Sequence, residues 1–455
     1  MSRYMIPLFL YLFLGCGLYA LAVRSVQRQR AAANLQCVFL FLMQFCAYLT
    51  IIIRTRRMEY LLFYAFLQIL TLALPLMAYF LYPGLSRILL NHMCMLLSAG
   101  LILLTRMDLS KAVRQLAIAA ASFVLLLFVP WLMKGCAAWR ASRREGSIWA
   151  QERVGWLYGA VGIAALGTVL VLGQVTHGSK LSWSLFGLTF QPSEFVKLTY
   201  VLFIASLLSK STSFRRVAAA GLGAAAHVLI LALSRDLGSA LIYFAVYVLM
   251  ITVASRRLWY LLGGVAAGAG ASVLALRLFS HVQVRVQAWR DPWSVIDSQG
   301  YQITQSLFAI SRGGLFGLGI GKGTPGDIPY VETDFIFAAL VEELGLLFGI
   351  GILLVCAVLF LLLMQLAGSL ADGYYRNIAA GFGMLYAFQT FLTVGGGIKL
   401  IPLTGVTLPL VSYGGSSVTA TILMIGIVEG VQVMRYDEEI RLEKQRRKKE
   451  KRGEA

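Results

Sequence analysis

Residues 330–364 read YVETDFIFAALVEELGLLFGIGILLVCAVLFLLLM, and this stretch decides the fold. A polar loop ends at its first residues, and an apolar segment then runs from Phe335 to the end of the stretch. That segment exceeds the ~20 residues that are needed to cross a bilayer. Asp334 therefore lies at the edge of a predicted span, where a carboxylate is costly to desolvate and usually has a function. We expect Asp334 to be a general base, and helix N-capping by Thr333 or Asp334 is the alternative interpretation.

The composition of the whole chain repeats this pattern. Of its 455 residues, 59% are hydrophobic and only 13% are charged, whereas soluble domains carry about 25% charged residues. Apolar runs of spanning length recur at about thirteen places, without the alternation that is typical of a β-barrel. The sequence therefore predicts an all-α polytopic membrane protein. The predicted spans lie near residues 4–23, 35–53, 61–82, 87–105, 116–133, 154–174, 195–209, 217–233, 239–254, 258–278, 335–364, 377–394 and 418–434.

The formal net charge of +19 indicates which side of the membrane each connection faces. Nucleic-acid binding is one interpretation of this charge, but the basic residues lie in short connections, as the positive-inside rule predicts. No nucleic-acid partner is therefore expected. The connections that alternate correctly to be cytoplasmic are 134–153, 210–216, 255–257 and the tail 435–455. The outer connections are then 175–194, 234–238, 279–334 and 395–417, and the unusual polar motifs lie in or beside them.

The first 86 residues do not follow this rule. Connections 24–34 and 54–59 are both basic and flank one span, so they cannot both be cytoplasmic. Either a span there is interfacial or the rule is violated. The first apolar run lacks a convincing cleavage site and is expected to be a retained helix. The cysteines and histidines of the chain show no metal-ligand spacing, so no dedicated metal site is expected.

Acidic residues mark three places within or beside predicted spans. Glu342 and Glu343 are adjacent, and two adjacent acids in a bilayer helix cannot both face lipid cheaply, so at least one should have a basic partner. Glu194 and Lys197 are spaced i, i+3 and can pair on one helix face, either as a structural ion pair or in a cavity. Asp236 either lies in a solvated outer turn or lines the same cavity.

Two irregular stretches could bind a polar headgroup. Residues 311–323, SRGGLFGLGIGKG, combine glycines that let backbone N–H groups approach an anion with Arg312 and Lys322, which can hold phosphate oxygens. No Walker A pattern is present, so a lipid-linked phosphate fits better than a nucleotide, and a flexible loop is the alternative. Residues 402–417, PLTGVTLPLVSYGGSS, cannot form a continuous helix and are expected to line a cavity with their hydroxyl and N–H groups.

Together these motifs resemble the SEDS family (shape, elongation, division and sporulation) of the FtsW/RodA/SpoVE type. The order and rough spacing of the motifs match over about residues 87–434. The matching residues are QPSEFVK at 191–197, DLG at 236–238, GYQ at 300–302, QS at 305–306, TDFIF at 333–337, EELG at 342–345 and the stretch 402–417.

The resemblance implies a ten-span peptidoglycan glycosyltransferase of the bacterial cytoplasmic membrane. Such proteins polymerise lipid II at the outer face, release undecaprenyl pyrophosphate and usually work with a class B penicillin-binding protein. The family's essential acid in the large outer loop maps onto Asp334, with Mg²⁺ or Mn²⁺ as an optional aid to the leaving group. The motifs and nearby cations supply the candidate substrate-binding residues, which are Trp183, Glu194, Lys197, Asp236, Gln302, Arg312, Lys322, Glu332, Glu343, Lys399, Thr404, Ser412 and Ser416.

The chain departs from the family pattern at several positions. Glu332 stands where members often have histidine, and a second acid beside Asp334 leaves the choice of base open. Arg235 replaces a common proline, and Lys399 replaces a small residue. Residues 1–86 have no counterpart, so we expect about three extra spans there, the catalytic core at 87–434 with its outer loop at 279–334, and a basic cytoplasmic tail at 435–455.

Two other functions use the same features. Broken helices, intramembrane ion pairs and glycines also suit a transporter that flips a lipid-linked precursor. Against this alternative, the special residues crowd one face, and we find no internal repeat. A non-catalytic membrane scaffold is the third interpretation. The sequence does not separate roles in division, elongation and sporulation.

Overall fold

The computed structural model describes residues 2–23, 25–142, 148–176, 179–185 and 188–451. Twelve helices in these ranges are long and apolar enough to cross a membrane. A further helix, Pro192–Leu208, falls just short at 17 residues, and counting it gives the thirteen spans that the sequence predicts. The prediction of an all-α polytopic membrane protein is therefore confirmed. The arginines of the predicted basic connections that lie outside the described residues are Arg24, Arg143, Arg144 and Arg452.

The helices follow one another with short connections. Helices α1 to α4 are Ser2–Ala22, Val26–Thr55, Glu59–Gln68 and Leu74–Leu81, and a π-helical segment, Ile69–Ala73, joins the last two into one span. Helices α5 to α9 are Arg87–Met107, Leu109–Ser142, Ile148–Leu172, Pro192–Leu208 and Phe214–Leu233. Helices α10 to α13 are Leu237–Ser255, Leu258–Leu278, Ser280–Arg290 and Tyr301–Gly313. Helices α14 to α17 are Ile336–Leu344, Leu346–Ser369, Gly373–Gly397 and Gly415–Lys451.

The bundle has two ends, which we name the loop face and the tail face. The loop face carries residues 279–334, and the tail face carries the last turns of α17. Helix α1 begins at the loop face, since the rings of Tyr4 and Phe316 lie 5.1 Å apart. Helix α2 ends at the loop face, where Arg54 lines a cavity with Lys322. The basic connection 54–59 therefore lies on the face opposite the tail, and the positive-inside pattern is violated there.

Helix α5 attaches the first four helices to the rest of the bundle. It is buried along its whole spanning length because α2, α6 and α15 pack against it and the Phe13 ring of α1 lies 5.0 Å from the His92 ring. Hydrogen bonds fasten α2 to α5, from Gln44 Nε2 to Ser98 Oγ at 2.6 Å and between Tyr48 and Thr105 at 3.2 Å. Hydrogen bonds between membrane helices contribute about 0.6–2 kcal/mol each. Residues 1–86 are thus an integral part of the bundle.

The apolar segment 335–364 is not one span, and the expectation of an unbroken segment there is wrong. It divides at Gly345, whose φ of 91° separates α14 from α15. The cause is the glycine-rich loop, because the carbonyl oxygen of Leu315 lies 2.4 Å from where a Cβ of Gly345 would stand. Only glycine permits this backbone conformation together with such a close approach.

The loop face holds the remaining structure. Residues 279–334 contain α12 and α13 and pack against the end of α16, where Ser306 Oγ donates to the carbonyl of Gly397 at 2.8 Å. Three short strands, which the sequence does not predict, lie between α7 and α8. They are β1 (Gln174–Thr176), β2 (Ser179–Leu185) and β3 (Leu188–Phe190), and they form an antiparallel sheet in the order β1-β2-β3.

Candidate active site

Asp334 lies in a turn at the loop face, just before α14. Its backbone N–H donates to the carbonyl of Tyr330 at 3.1 Å. Phe335 occupies the N-cap position of α14, and no side chain caps the helix. The interpretation of Thr333 or Asp334 as a helix cap is therefore wrong. The carboxyl group of Asp334 does not cap α14.

The Asp334 carboxyl group is half-buried and lies outside the membrane-spanning helices. Burial raises its pKa from the ordinary value of 3.8 to about 6, while the positive charge of Arg285 and a hydrogen bond with the Thr333 side chain act in the opposite direction. A general base works best when its pKa is near the operating pH. Asp334 therefore has the electrostatic setting of a base.

Arg285 on α12 is a residue of this site that the sequence analysis missed. Its Nη1 atom donates to the carbonyl oxygens of Leu403 at 3.2 Å and Thr404 at 3.0 Å. One turn later, Trp289 Nε1 donates to the carbonyl oxygen of Lys399 at 3.1 Å. The i, i+4 spacing of an arginine and a tryptophan in a short polar helix was the available signal. Helix α12 thus holds the segment 399–404 in place.

The irregular stretch 402–417 supports the turn that carries Asp334. Ser412 Oγ donates to the carbonyl of Thr333 at 2.5 Å and accepts from the backbone N–H of Leu408 at 2.9 Å. The backbone N–H of Tyr413 donates to the carbonyl of Glu332 at 2.7 Å. These bonds use a side chain that was predicted to bind substrate, and they fix the backbone on both sides of the carboxyl group.

The two neighbouring acids have different partners. Glu332 Oε1 accepts from Lys111 Nζ at 2.6 Å. No cation lies within 4 Å of the Asp334 carboxyl group in the described part of the chain. Of the two acids, Asp334 is therefore the one without an ion pair among the described residues.

The predicted pair of Glu194 and Lys197 forms in the bundle interior. Lys197 Nζ donates to Glu194 Oε1 at 2.7 Å and to Gln389 Oε1 at 3.0 Å, and Lys197 is only 3% exposed. Gln389 Nε2 in turn donates to the carbonyl of Thr407 at 3.0 Å. The buried charges of Glu194 and Lys197 are thus paired with each other. Through Gln389, the same network joins α8 and α16 to the irregular stretch 402–417.

Asp236 and Ser416 complete the connection between the motifs. Asp236 caps α10, accepting from the backbone N–H of Ser239 at 3.1 Å, and it also accepts from Ser193 Oγ at 3.2 Å. Burial raises the pKa of Asp236. A solvated turn is therefore the wrong interpretation for this residue. Ser416 Oγ accepts from the backbone N–H of Gln191 at 3.0 Å, which ties the start of α17 to the start of α8.

The adjacent acids of α14 have basic partners, as predicted. Glu343 Oε1 lies 3.0 Å from Arg106 Nε, and Glu342 Oε1 lies 3.5 Å from Arg312 Nη2. Both acidic side chains are fully buried. The glycine-rich loop closes over them, and its N–H groups bond to the carbonyls of α14. Arg312 thus joins the glycine-rich loop to α14 through Glu342, and Arg106 joins α5 to α14 through Glu343.

Comparison with known proteins places these motifs in a family. The family described as "Cell cycle protein", which covers FtsW, RodA and SpoVE proteins, matches residues 87–437. The chain belongs to the FtsW/RodA/SpoVE family. The match begins at the first residue of α5, so α1 to α4 lie outside the family region.

Characterised relatives in the FtsW/RodA/SpoVE family align over the same part of the chain. Peptidoglycan glycosyltransferase RodA of Mycobacterium tuberculosis (strain ATCC 25618 / H37Rv) is 34% identical over 295 residues, which cover 61% of this chain. The chain spans only 63% of that relative's length. Stage V sporulation protein E of Bacillus subtilis is 38% identical over 282 residues, covering 59% of this chain and 76% of the relative.

Solved structures of the FtsW/RodA/SpoVE type share the fold. RodA of Thermus thermophilus, the rod shape determining protein, superposes with a TM-score of 0.56 and 26% identity, covering 76% of this chain and 96% of that one. A chain from "Structural coordination of polymerization and crosslinking by a peptidoglycan synthase complex" gives a TM-score of 0.62 and 26% identity, covering 76% and 97%.

The other predicted site residues lie apart from the bonds around Asp334. Trp183 on β2 stacks on Phe190 at 6.1 Å, and its Nε1 is buried without a hydrogen-bond partner among the described residues. Gln302 is half-buried on α13, and Lys399 contributes its backbone carbonyl. Lys322 lines a cavity together with residues of α1 and α2, two helices that lie outside the FtsW/RodA/SpoVE family region. Within the described ranges, no group of three His, Cys, Asp or Glu side chains could hold a metal ion.

Proposed function

We propose that this chain is a peptidoglycan glycosyltransferase that polymerises lipid II into glycan strands. The observation that carries the proposal is Asp334, a half-buried carboxyl group with a pKa of about 6 that neither caps a helix nor forms an ion pair among the described residues. Membership of the FtsW/RodA/SpoVE family and the names of the relatives support the substrate class.

The proposed reaction joins two lipid-linked sugars. Asp334 accepts the proton of the 4-hydroxyl group of the acceptor disaccharide. The hydroxyl oxygen forms a bond to the anomeric carbon of the donor, and the bond from that carbon to the pyrophosphate oxygen breaks. Undecaprenyl pyrophosphate leaves with the bonding electrons, and Asp334 later releases its proton to water. A base of this kind contributes about 10²–10⁴-fold to the rate.

The leaving pyrophosphate needs positive charge. Arg285 is the cation that acts on Asp334, and it lies on the α12 face that contacts residues 403 and 404. Lys399 is close in the chain to the same segment. Lys197 and Arg312 are engaged with buried acids, so we assign them to holding the site together. A divalent cation would be held by the pyrophosphate and one or two carboxylates, and would supply Lewis-acid stabilisation.

The proposal also sets the orientation in the bacterial cytoplasmic membrane. The loop face, with Asp334, faces the extracytoplasmic side, and the tail face with the C-terminal end of α17 faces the cytoplasm. The basic tail and the basic connections at the tail face support this arrangement. A class B penicillin-binding protein is the proposed partner, because a similar fold occurs in a peptidoglycan synthase complex.

A polymerisation assay tests the proposal directly. The purified full chain is incubated with lipid II in detergent, with and without a class B penicillin-binding protein, and the glycan product is resolved by gel electrophoresis. We expect polymer from the native chain and none from an Asp334→Asn variant that elutes as a folded, monodisperse protein. Polymer from the variant would remove Asp334 as the base. Transport of lipid II across vesicles without polymer would instead favour a flippase.

A further inference from the structure

A cavity lies on the loop face between the added N-terminal helices and the glycine-rich loop. Its volume is about 320 Å³, and its lining includes Ser2, Arg3, Thr50, Arg54, Gly319 and Lys322. Ser2 and Arg3 belong to α1, and Thr50 and Arg54 belong to α2, so all four lie outside the family region. Gly319 and Lys322 lie within the family region. The cavity therefore exists only because this chain carries its N-terminal helices.

The cavity is cationic, and its lining within the described part of the chain includes no acidic residue. Arg3, Arg54 and Lys322 contribute three positive charges, and none of them forms an ion pair with a carboxylate among the described residues. Arg106 lies beside Arg54, since the two approach the Cβ position of Gly321 at 3.6 and 3.0 Å, but it is paired with Glu343 and adds no net charge. The like charges of Arg3, Arg54 and Lys322 repel one another, so a bound anion would stabilise the cavity.

The position of Arg54 strengthens this conclusion. Connection 54–59 also contains Arg56 and Arg57, and all three arginines are exposed at the loop face. The basic connections elsewhere favour the opposite face, so these arginines oppose the charge pattern that guides insertion. Packing of α2 against α5 fixes the orientation nonetheless. The loop face therefore carries a local excess of positive charge beside the cavity.

The glycine-rich loop gives the cavity a rigid wall. Gly317, Gly319 and Gly321 all have positive φ values, and Leu318 and Gly319 donate their N–H groups to the carbonyls of Glu342 and Glu343 at 2.9 and 2.8 Å. The backbone is thus ordered before any ligand arrives, which lowers the entropic cost of binding. Residues of α1 and α2 line the other side of the cavity.

The surroundings indicate what kind of anion fits. Below the cations, the outward sides of α1 and α2 expose apolar side chains, including Leu8 at 48%, Leu49 at 42% and Ile53 at 66%. Arginine and lysine at this depth hold phosphate groups, while acyl chains cover apolar helix surface. We infer that this cavity binds the phosphate group of a single lipid headgroup from the leaflet at the loop face. The inference does not depend on the reaction at Asp334.

Native mass spectrometry of the detergent-solubilised full chain tests this inference. The protein is titrated separately with phosphatidylglycerol and with undecaprenyl pyrophosphate, and the bound copies are counted. The test variant is Arg54→Gln/Lys322→Gln, which changes exposed side chains. The control is Arg28→Gln, an exposed arginine at the other end of α2. We expect one saturable lipid at the cavity of the native chain and of the control, beyond any undecaprenyl pyrophosphate at the Asp334 site, and about tenfold or more weaker binding of that copy to the test variant.

The outcomes separate the sources of the phosphate. Loss confined to phosphatidylglycerol identifies a structural phospholipid, and loss confined to undecaprenyl pyrophosphate identifies a holding site for the polyprenyl carrier; both support the inference. Equal binding of both lipids to the native chain and the monodisperse test variant overturns it. Equal lipid binding with reduced capture of an acidic partner protein also overturns it, in favour of a protein contact.

Discussion

Lys111 Nζ lies 2.6 Å from Glu332 Oε1, and Glu332 stands two residues before Asp334 in the sequence. Through this ion pair, Glu332 contacts the first turn of α6. We therefore expect Glu332→Gln to retain most of the polymerisation rate, whereas Asp334→Asn lowers it by about 10²–10⁴-fold. The measurement is the initial rate of glycan formation by the two purified variants. The reverse ranking would assign the base to Glu332.

The pH dependence of the rate follows from the pKa of Asp334, which burial raises to about 6. The carboxylate is the active form, so the rate should fall as the pH falls through 6. Stability has the opposite sign. Because the folded-state pKa exceeds the ordinary value of 3.8, the native state is more stable below pH 3.8 and loses that contribution as the pH rises through 6.

The raised pKa of Asp334 also predicts how Asp334→Asn changes the stability of the protein. This variant removes the cost of a buried charge, so its unfolding free energy at pH 7 should exceed that of the native chain by about 1–3 kcal/mol. The difference should shrink toward zero as the pH approaches 4. Thermal unfolding in detergent at several pH values measures it. A destabilised Asn variant at pH 7 would contradict burial as the main cause of the pKa shift.

Arg285 lowers the pKa of Asp334 through its charge, so Arg285→Gln should raise that pKa further. We expect the acid limb of the rate profile to move to higher pH and the rate at pH 7 to fall. The matched control is Arg290→Gln, an exposed arginine on the same helix. A pH profile with an unchanged acid limb in Arg285→Gln would remove the electrostatic link between the two residues.

Arg106 balances the fully buried Glu343, and Arg106→Gln would leave that acid unpaired. Breaking one partner of a buried pair costs about 3–5 kcal/mol. The thermal unfolding midpoint should therefore drop clearly. Arg447→Gln breaks an exposed pair with Glu443 in the tail and should cost less than about 1 kcal/mol. Similar midpoints for both variants would show that the Glu343 pair carries little stability.

Gly100 on α5 permits a close approach of the irregular stretch 402–417. A Cβ at this position would lie 2.1 Å from the carbonyl oxygen of Val411. Gly100→Ala should therefore push that stretch away, destabilise the protein and lower the rate of glycan synthesis. Gly270→Ala on α11 meets no atom within 4 Å and serves as the control. Equal rates and midpoints in both variants would mean that the stretch shifts without consequence.

The helical spans could be predicted from the sequence because apolar length is a local property. The division at Gly345 could not, since it arises from the insertion of Leu315 from another part of the chain. Arg285 was missed for a related reason. Its carbonyl partners lie 118 and 119 residues away, and the local i, i+4 spacing of Arg285 and Trp289 does not identify partners at that range.

The orientation of the N-terminal helices illustrates a competition between two effects. Charge alone left connections 24–34 and 54–59 unresolved. Packing decides the outcome, because Gln44 and Tyr48 on α2 bond to α5 in a parallel arrangement that carries Arg54 to the loop face. Several of the motif residues, in contrast, are joined by hydrogen bonds to the stretch 402–417, and their roles in binding stay a prediction.

Helix α17 runs without interruption from Gly415 to Lys451, 37 residues or about 55 Å. Its first turn holds Ser416, which bonds to the start of α8, and its far end projects from the tail face. A single continuous helix therefore links the basic residues at the tail face to a serine of the stretch 402–417.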